Sequence, residues 1–306
     1  MDKKKKYRGI VIPAVTPLTA DYKLDHEAVE KIFSKFNEHD VMPFISGTTG
    51  EASSLSASVK NDYIRLASKL KKNGTILYAG VSSNCLDDSV ELAKRCFDCG
   101  VDVAVAALPS YYILSEDNMK KYYEQLAERV SGPLIIYNIP ATTHMSIPLK
   151  LIEELSYHEK IVGSKDSERS EERLKLSITL WSKRDDFSHF VGWAAKSADA
   201  LLNGCGLIPS TGNLHPGLYK EMLEAADSGN TVKIFQLQKI SDILGNLYQK
   251  GRLLGDSLWA LKVLMKEAGL CDTYVMPPLQ LHSAEEENRL RNDLQRLFNK
   301  EGINLT

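Results

Sequence analysis

The sequence predicts an α/β protein, a (β/α)8 TIM barrel with a C-terminal helical extension. Two observations predict it. Eight short apolar runs alternate with longer amphipathic stretches. The chain is also long enough for such a barrel, which runs to ~250 residues. A doubly wound open sheet would use the same elements, but no G-x-G-x-x-G motif follows the first apolar run. That absence removes the usual dinucleotide-binding argument for the open sheet.

The apolar runs are four to seven residues long, as expected for buried parallel strands. The predicted strands are residues 9–15, 42–46, 75–80, 101–106, 134–138, 161–165, 189–192 and 206–209. The helical patterns between them cover residues 25–39, 56–72, 87–99, 115–130, 148–155, 170–181 and 195–202. Several begin with suitable residues: Ser115 precedes two acidic residues, and Pro148 can occupy a first turn.

The pattern changes after about residue 225. Residues 232–245, 255–268 and 284–299 are predicted to be helices, and two prolines, Pro277 and Pro278, interrupt the last connection. We therefore divide the chain into a catalytic barrel, residues 1–225, and a helical extension, residues 226–306.

The composition is that of an ordinary globular protein, with 43% hydrophobic residues, 25% charged residues and a formal net charge of -2. A near-neutral charge argues against nucleic acid or an anionic membrane as the main partner. No window approaches the ~18 consecutive apolar residues of a membrane span. The lysine run at residues 3–6 lacks a following apolar segment, and we expect it to be a solvated tail.

Five scattered cysteines fit a reducing compartment, so we expect a cytoplasmic location. Cys96 and Cys99 have C-x-x-C spacing, which occurs in redox and metal sites. The pair lies late in a helical pattern, with no second pair or clustered histidines to complete a site, and we expect helix packing instead.

Lys165 ends the apolar run at residues 161–165. Burial at the end of a strand disfavours the charged ammonium, so the neutral amine becomes available as a nucleophile toward carbonyl groups. Most lysines that follow a strand are merely solvated. The other strand ends must therefore supply further support for a catalytic interpretation.

In a (β/α)8 barrel the carboxyl ends of the strands face one active site. These ends carry hydroxyls and glycines around a single amine, at Thr16, Gly47 to Glu51, Tyr111, Tyr112, Tyr137, Lys165, Gly192 and Ser210. They hold no metal-ligand cluster and no nucleophilic triad. An amine among hydroxyl groups suits Schiff-base chemistry, in which an iminium stabilises a carbanion on the adjacent carbon. Neither a metal nor an organic cofactor is expected.

Three motifs occur in order on successive strand ends: G-T-T-G-E at 47–51, Y-N-I-P at 137–140 and G-S-K-D at 163–166. In order and spacing they resemble the dihydrodipicolinate synthase/N-acetylneuraminate lyase family of class I aldolases, and the resemblance covers essentially the whole chain. It implies a (β/α)8 barrel, a homotetramer built as a dimer of dimers, and a pyruvyl Schiff base on Lys165.

The resemblance also implies residue roles. Tyr137 would shuttle protons to and from the bound intermediate, in a relay with Thr48 and with Tyr112, which resembles a tyrosine that reaches across a dimer interface. Thr49 and Gly47, with Thr48, would hold the substrate carboxylate. For Tyr137 and Tyr112, packing roles are the alternatives from the residues alone.

Three later positions, Gly192, Ile208 and Ser210, complete the expected substrate contacts. Gly192 is followed by Trp193 and not by the acidic pair that is typical of sialic acid lyases. Thr142 stands where dihydrodipicolinate synthases carry an arginine for the second substrate's carboxylate, and a threonine cannot replace that bidentate fork. His144 has no settled interpretation.

These departures favour neutral, hydroxyl-bearing substrates. The hypothesis is a pyruvate-dependent aldolase that reversibly cleaves a 2-keto-3-deoxy sugar acid to pyruvate and an aldehyde. A 2-keto sugar acid dehydratase would need the same lysine and tyrosine. A dihydrodipicolinate synthase is disfavoured by Thr142. A non-catalytic sugar-acid-binding protein is a further alternative, because fold does not determine function.

Overall fold

The computed structural model describes residues 5–301. Within that range, eight parallel strands form one sheet in sequential order, with helices between them, and the predicted barrel is confirmed. The strands are β1 (Val11–Pro13), β2 (Met42–Ile45), β3 (Tyr78–Gly80), β4 (Val103–Ala107), β5 (Leu134–Asn138), β6 (Ile161–Asp166), β7 (Ser188–Val191) and β8 (Gly206–Leu207). Each lies within three residues of its predicted bounds.

The first and last strands close the barrel. Leu207 donates its backbone N–H to the Gly9 carbonyl at 3.0 Å, and Ile10 forms a parallel bridge with Leu207. Asn213 strengthens the seam, because its side chain donates to the Pro13 carbonyl at 2.9 Å and accepts from the Val15 N–H at 3.1 Å. The carboxyl ends of all the strands therefore face a common opening.

Four helices of the barrel begin after short polar capping residues, and Ser115 is one that the sequence predicts. Asp25, Ser56, Ser115 and Ser170 each accept a hydrogen bond from a backbone N–H three residues later. The helices of the barrel are α1 (His26–Glu38), α2 (Ala57–Leu70), α3 (Leu86–Asp98), α4 (Glu116–Arg129), a short α5 (Pro140–Thr143), α6 (Leu149–Leu155), α7 (Glu171–Trp181), α8 (Ser197–Leu202) and α9 (Pro216–Asp227).

Two of these helices, α5 and α9, are absent from the prediction. The start of α9, Pro216-Gly217, has the composition of a turn, yet proline is accepted in the first turn of a helix. Helix α9 spans residue 225, where we divide barrel from extension, and that division stays a proposal.

The extension consists of α10 (Thr231–Gln249), α11 (Leu254–Glu267) and α12 (Ala284–Glu301). Helix α10 continues four residues beyond its predicted end at Gly245, because Tyr248 lies 2% exposed in the core and extends the apolar face. It packs on α9 and α11. None of the helices in the described part of the chain is long and apolar enough to span a bilayer.

The prediction of a solvated lysine tail is wrong at Lys5, whose ammonium donates to the carbonyls of Trp181 at 2.7 Å and Phe187 at 3.3 Å. Burial lowers the pKa of Lys5. Lys3 and Lys4 lie outside the described residues. The chain before β1 is therefore fastened to the end of the barrel opposite the carboxyl ends of the strands, where α7 leads into β7.

Candidate active site

Lys165 lies inside the barrel with 4% of its surface exposed. It is in register with Tyr137 on β5 and Phe190 on β7. Its Nζ atom lies 3.8 Å from the ring centroid of Tyr137 and 5.0 Å from that of Phe44. The structure thus places the predicted nucleophile against aromatic rings and away from bulk water.

Tyr137 connects this lysine to the turn after β2. Its phenol oxygen lies 3.3 Å from the hydroxyl of Thr48. Burial raises the pKa of Tyr137, but the charge of Lys165 and hydrogen bonds from Thr48, Lys165 and Ser167 outweigh it, so the net pKa is below its ordinary value. A phenol of this kind can give up and take back a proton more readily than an isolated buried tyrosine.

The turn that contains Gly47, Thr48 and Thr49 is held in a fixed shape. The Gly47 carbonyl accepts the N–H groups of Gly50 at 3.1 Å and of Ala52 at 3.2 Å. The Thr16 hydroxyl donates to the Gly50 carbonyl at 2.6 Å. Thr48 and Thr49 are both half-buried, and among the described residues only Thr48 of the two lies in the wall of the cavity beside this turn.

A cavity of about 550 Å³ opens beside this turn. Gly47, Thr48 and Tyr137 contribute to its wall, and Thr142 lies on the same wall. The wall also contains polar side chains, namely Lys60, Ser82, Ser83, Asn84, Asp88, Glu91, Arg95 and Ser110. Lys165 is not part of the wall among the described residues, but its amine lies against the ring of Tyr137, which is part of it. The volume is sufficient for a small organic acid.

Tyr112 is not near the Thr48–Tyr137 pair within the described chain. Its side chain is 73% exposed and packs edge-to-face on Tyr111, which is 77% exposed, with ring centroids 4.9 Å apart. Asn84 holds the loop, since its side-chain oxygen accepts the N–H groups of Ser110 at 2.8 Å and Tyr111 at 3.2 Å. A role for Tyr112 in the relay therefore requires a second copy of the chain.

The three remaining predicted contacts lie around the interior and its rim, outside the wall of the cavity in the described structure. Gly192 packs so closely that a Cβ atom there would lie 2.2 Å from the Ser167 hydroxyl. Ile208 is 2% exposed in the interior apolar cluster with Tyr137. The Ser210 hydroxyl lies 2.7 Å from the phenol oxygen of Tyr248, a partner that the sequence does not indicate.

Outward-facing residues of β5, β6 and β7, together with Arg173 of α7, form polar contacts around Lys165 that were not predicted from the sequence. Arg173 donates from Nε to Asp166 at 2.6 Å, and Asn138 donates to the other oxygen of Asp166 at 3.0 Å. The Ser164 hydroxyl lies 2.9 Å from Nδ1 of His189. Alternation along a strand is the signal that could have found them, because Lys165 points inward and its neighbours point outward.

Comparisons with known proteins identify the family. A model of the dihydrodipicolinate synthetase family matches residues 6–297. A DapA-like lyase of Thermococcus kodakarensis is 30% identical over 291 residues, which cover 93% of this chain and 97% of the relative.

Solved structures give the same result. The dihydrodipicolinate synthase of Bacteroides thetaiotaomicron matches with a TM-score of 0.89 and 27% identity, over 96% of this chain and 99% of that chain. YagE, a prophage protein of the dihydrodipicolinic acid synthase family from E. coli K12 solved in complex with pyruvate, matches with a TM-score of 0.89 and 26% identity, over 95% of this chain and 98% of that chain.

Proposed function

Because the chain belongs to the dihydrodipicolinate synthetase family and is a lyase, we propose that it is a pyruvate-dependent class I aldolase. Its substrate is a 2-keto-3-deoxy sugar acid, cleaved reversibly to pyruvate and an aldehyde. The observation that carries this proposal is the Lys165 amine, 4% exposed and 3.8 Å from the ring centroid of Tyr137, whose phenol lies 3.3 Å from Thr48. The solved relative in complex with pyruvate supports the choice of keto acid.

The reaction begins when the neutral amine of Lys165 attacks C2 of the keto acid. Tyr137 donates a proton to the departing hydroxyl, water leaves, and an iminium forms between Nζ and C2. The C4 hydroxyl then loses its proton through Tyr137, the C3–C4 bond breaks, and the aldehyde departs. The electron pair of the C3–C4 bond forms the C2=C3 double bond of an enamine on Lys165. Protonation of C3 and attack of water on C2 release pyruvate and restore the amine.

The turn after β2 binds the substrate. The hydroxyls of Thr48 and Thr49 and the backbone N–H groups of this turn are suitable donors for the C1 carboxylate. Gly47 allows the carboxylate to approach the backbone closely, because glycine has no side chain to cover it. We assign Gly192 and Ile208 to the space around C2 and C3, and Ser210 to the distal hydroxyls, from the resemblance to the family, although the three lie outside the wall of the cavity described above.

We further propose that Tyr112 completes the relay in the neighbouring copy of a homotetramer built as a dimer of dimers. The support is the exposure of the loop: Tyr111, Tyr112 and Ile113 are 77%, 73% and 72% exposed in one chain. Such adjacent apolar surface is typical of an interaction site.

The support for a hydroxyl-bearing substrate is the composition of the cavity wall, where Thr142 stands in place of a bidentate arginine and Ser82 and Ser110 add hydroxyls. A dihydrodipicolinate synthase is the second candidate. It is favoured by the solved relative of that name and by Lys60 and Arg95 in the cavity wall, which could attract the carboxylate of a second substrate.

Reductive trapping tests the proposal. The protein is incubated with pyruvate and borohydride, and the adduct is mapped by peptide mass spectrometry. We expect a pyruvyl adduct on Lys165 that is lost in Lys165→Ala and retained in Lys175→Ala, which changes an exposed lysine of α7. An unmodified Lys165 at saturating pyruvate would exclude the mechanism.

Product analysis separates the enzymatic alternatives. With 2-keto-3-deoxy sugar acids, an aldolase yields free pyruvate and an aldehyde. A dehydratase that uses the same Schiff base eliminates water and yields a 2-oxo semialdehyde without pyruvate. A binding protein yields neither product and keeps its ligand affinity in Lys165→Ala.

A further inference from the structure

A buried ion pair connects the active-site turn to the helical extension. Nζ of Lys262 on α11 lies 2.5 Å from Oε1 of Glu51, and both side chains are 0% exposed. The same ammonium donates to the Tyr274 carbonyl at 2.6 Å, and the Met276 N–H donates to the other oxygen of Glu51 at 2.6 Å. One carboxylate thus joins the last residue of the Gly47–Glu51 turn to two parts of the extension.

Stability alone does not account for this arrangement. Removing two charges from water costs about as much as their attraction returns, and apolar residues of similar volume are often equally stable. Glu51 also has a φ of 59°, in the left-handed region that a residue with a long side chain seldom adopts. The fold keeps both the buried ion pair and the left-handed backbone of Glu51, although each is unfavourable. Together they hold Glu51 in one position.

That position bears directly on the substrate-binding hydroxyls. The Glu51 N–H donates to the Thr48 carbonyl at 3.1 Å, and the Glu51 carbonyl accepts the Ser54 N–H at 2.8 Å. Ser46, on the other side of the turn, also has a positive φ of 52°. If Glu51 relaxed toward the common right-handed region, the Thr48 carbonyl and the hydroxyl that faces Tyr137 would move with it.

We propose that Glu51 and Lys262 are positioning residues, whose ion pair holds the Thr48–Thr49 turn in the geometry that binds the substrate carboxylate. The inference rests on the proposed function for its kinetic consequence. The extension then contributes to substrate binding by positioning the turn, although its residues touch no substrate. The Ser210–Tyr248 contact, at 2.7 Å, is a second link of the same kind, from α10 to the end of β8.

The test compares three variants. Lys262→Met keeps the length of the side chain and removes its charge. Glu51→Gln/Lys262→Met removes both charges together, so that no buried charge remains uncompensated if the single variant fails to fold. Lys266→Met is the matched control, one turn later on α11, where the lysine forms an exposed ion pair with Asp272.

Two measurements are made on each variant: the pyruvate concentration that gives half-maximal trapping on Lys165, and hydrogen–deuterium exchange of peptides from residues 47–54 without substrate. In the first two variants we expect faster exchange and a half-saturating concentration raised by about tenfold, the effect of losing one hydrogen bond to a carboxylate. Maximal trapping at saturating pyruvate should be retained. Lys266→Met should match the wild type in both.

If the folded double variant exchanges and binds pyruvate like the wild type, the pair has no positioning role and the inference is wrong. Restored affinity in Lys262→Arg would support it, since that change keeps the charge. Failure of the proposed function gives a different result: no trapping in the wild type. Faster exchange of the turn in the charge-removing variants would then still support the positioning role, and unchanged exchange would overturn it.

Discussion

Lys165 and Tyr137 are register partners on neighbouring parallel strands, β6 and β5, and both point into the barrel. The lysine amine lies 3.8 Å from the centroid of the phenol ring. Sheet pairing alone sets this proximity, because inward residues of adjacent strands at the same level are direct neighbours. The nucleophile and the proton donor are therefore held by two hydrogen-bonded strands of the barrel.

Tyr137→Phe should reduce turnover of the sugar acid by about 10²- to 10⁴-fold, because it removes a proton donor and acceptor. The ring and its packing against Lys165 remain, so pyruvate should still be trapped on the lysine after long incubation. Steady-state kinetics and adduct mass spectrometry measure the two effects. Turnover within a factor of about three of the wild type would exclude the role in proton transfer.

Thr48→Val should raise the pKa of Tyr137, because the hydrogen bond from Thr48 is one of the interactions that lower it. If Tyr137 acts as the base, the ascending limb of the rate–pH profile will move to higher pH. Thr48→Ser keeps the hydroxyl and should restore the wild-type profile. An unshifted limb in Thr48→Val would show that Thr48 does not tune the phenol.

His189→Asn should weaken the pH dependence of stability. Burial lowers the pKa of His189 to about 4, more than nearby Asp166 raises it. Between that value and the ~6.5 of an unfolded histidine, the unfolded chain binds more protons, so this stability is complete above pH ~6.5 and lost on acidification.

For one such histidine the loss from pH 7 to 5 is about 2 kcal/mol. Urea unfolding at the two pH values measures it. The variant should lose about 2 kcal/mol less than the wild type over this interval. Asparagine retains a partner for the Ser164 hydroxyl. Identical losses in the two proteins would contradict the assignment.

Gly80→Ala should destabilise the protein by about 1–3 kcal/mol, the range for overpacking. A Cβ at this position would lie 2.0 Å from the backbone oxygen of Ser46, so the end of β2 would have to move. The control is Gly245→Ala in α10, whose nearest atom would be the Thr211 hydroxyl at 3.4 Å. There alanine should be neutral or stabilise the helix by up to about 1 kcal/mol. Thermal unfolding of both variants measures the two changes in stability.

Thr142→Arg should shift the preference toward aldehydes that carry a carboxylate. Thr142 lies in the wall of the cavity, and a guanidinium there could bind a carboxylate through two hydrogen bonds. The measured quantity is the ratio of kcat/KM for condensation of pyruvate with an acidic and with a neutral aldehyde. A ratio that does not change would show that residue 142 does not face the second substrate.

The barrel and its central pair could be predicted because their signals are local. Short apolar runs mark the strands, and the three motifs identify the family, an assignment that the family match over residues 6–297 confirms. Lys165 is the last residue of such a run, and Tyr137 is the last but one of another. The carboxyl-end rule for barrels then brings them together without further information.

The Glu51–Lys262 pair could not be predicted in this way. The two residues are far apart in the chain, and a lysine in an amphipathic helix normally faces water. Helix α9 was missed for a different reason, since Pro216-Gly217 resembles a turn when its neighbours are unknown. In both cases the information lies in tertiary packing, which residue spacing does not report.

The seam between β1 and β8 determines when the barrel can become complete. Gly9 must meet Leu207, and Pro13 must meet Asn213, across almost two hundred residues, with separations of 198 and 200 for the two Asn213 contacts. A nascent chain emerging from the ribosome has no partner for the free edge of β1 until Leu207 has been synthesised. Closure of the barrel is therefore a late event of synthesis, and until then the edge of β1 is available for other pairing.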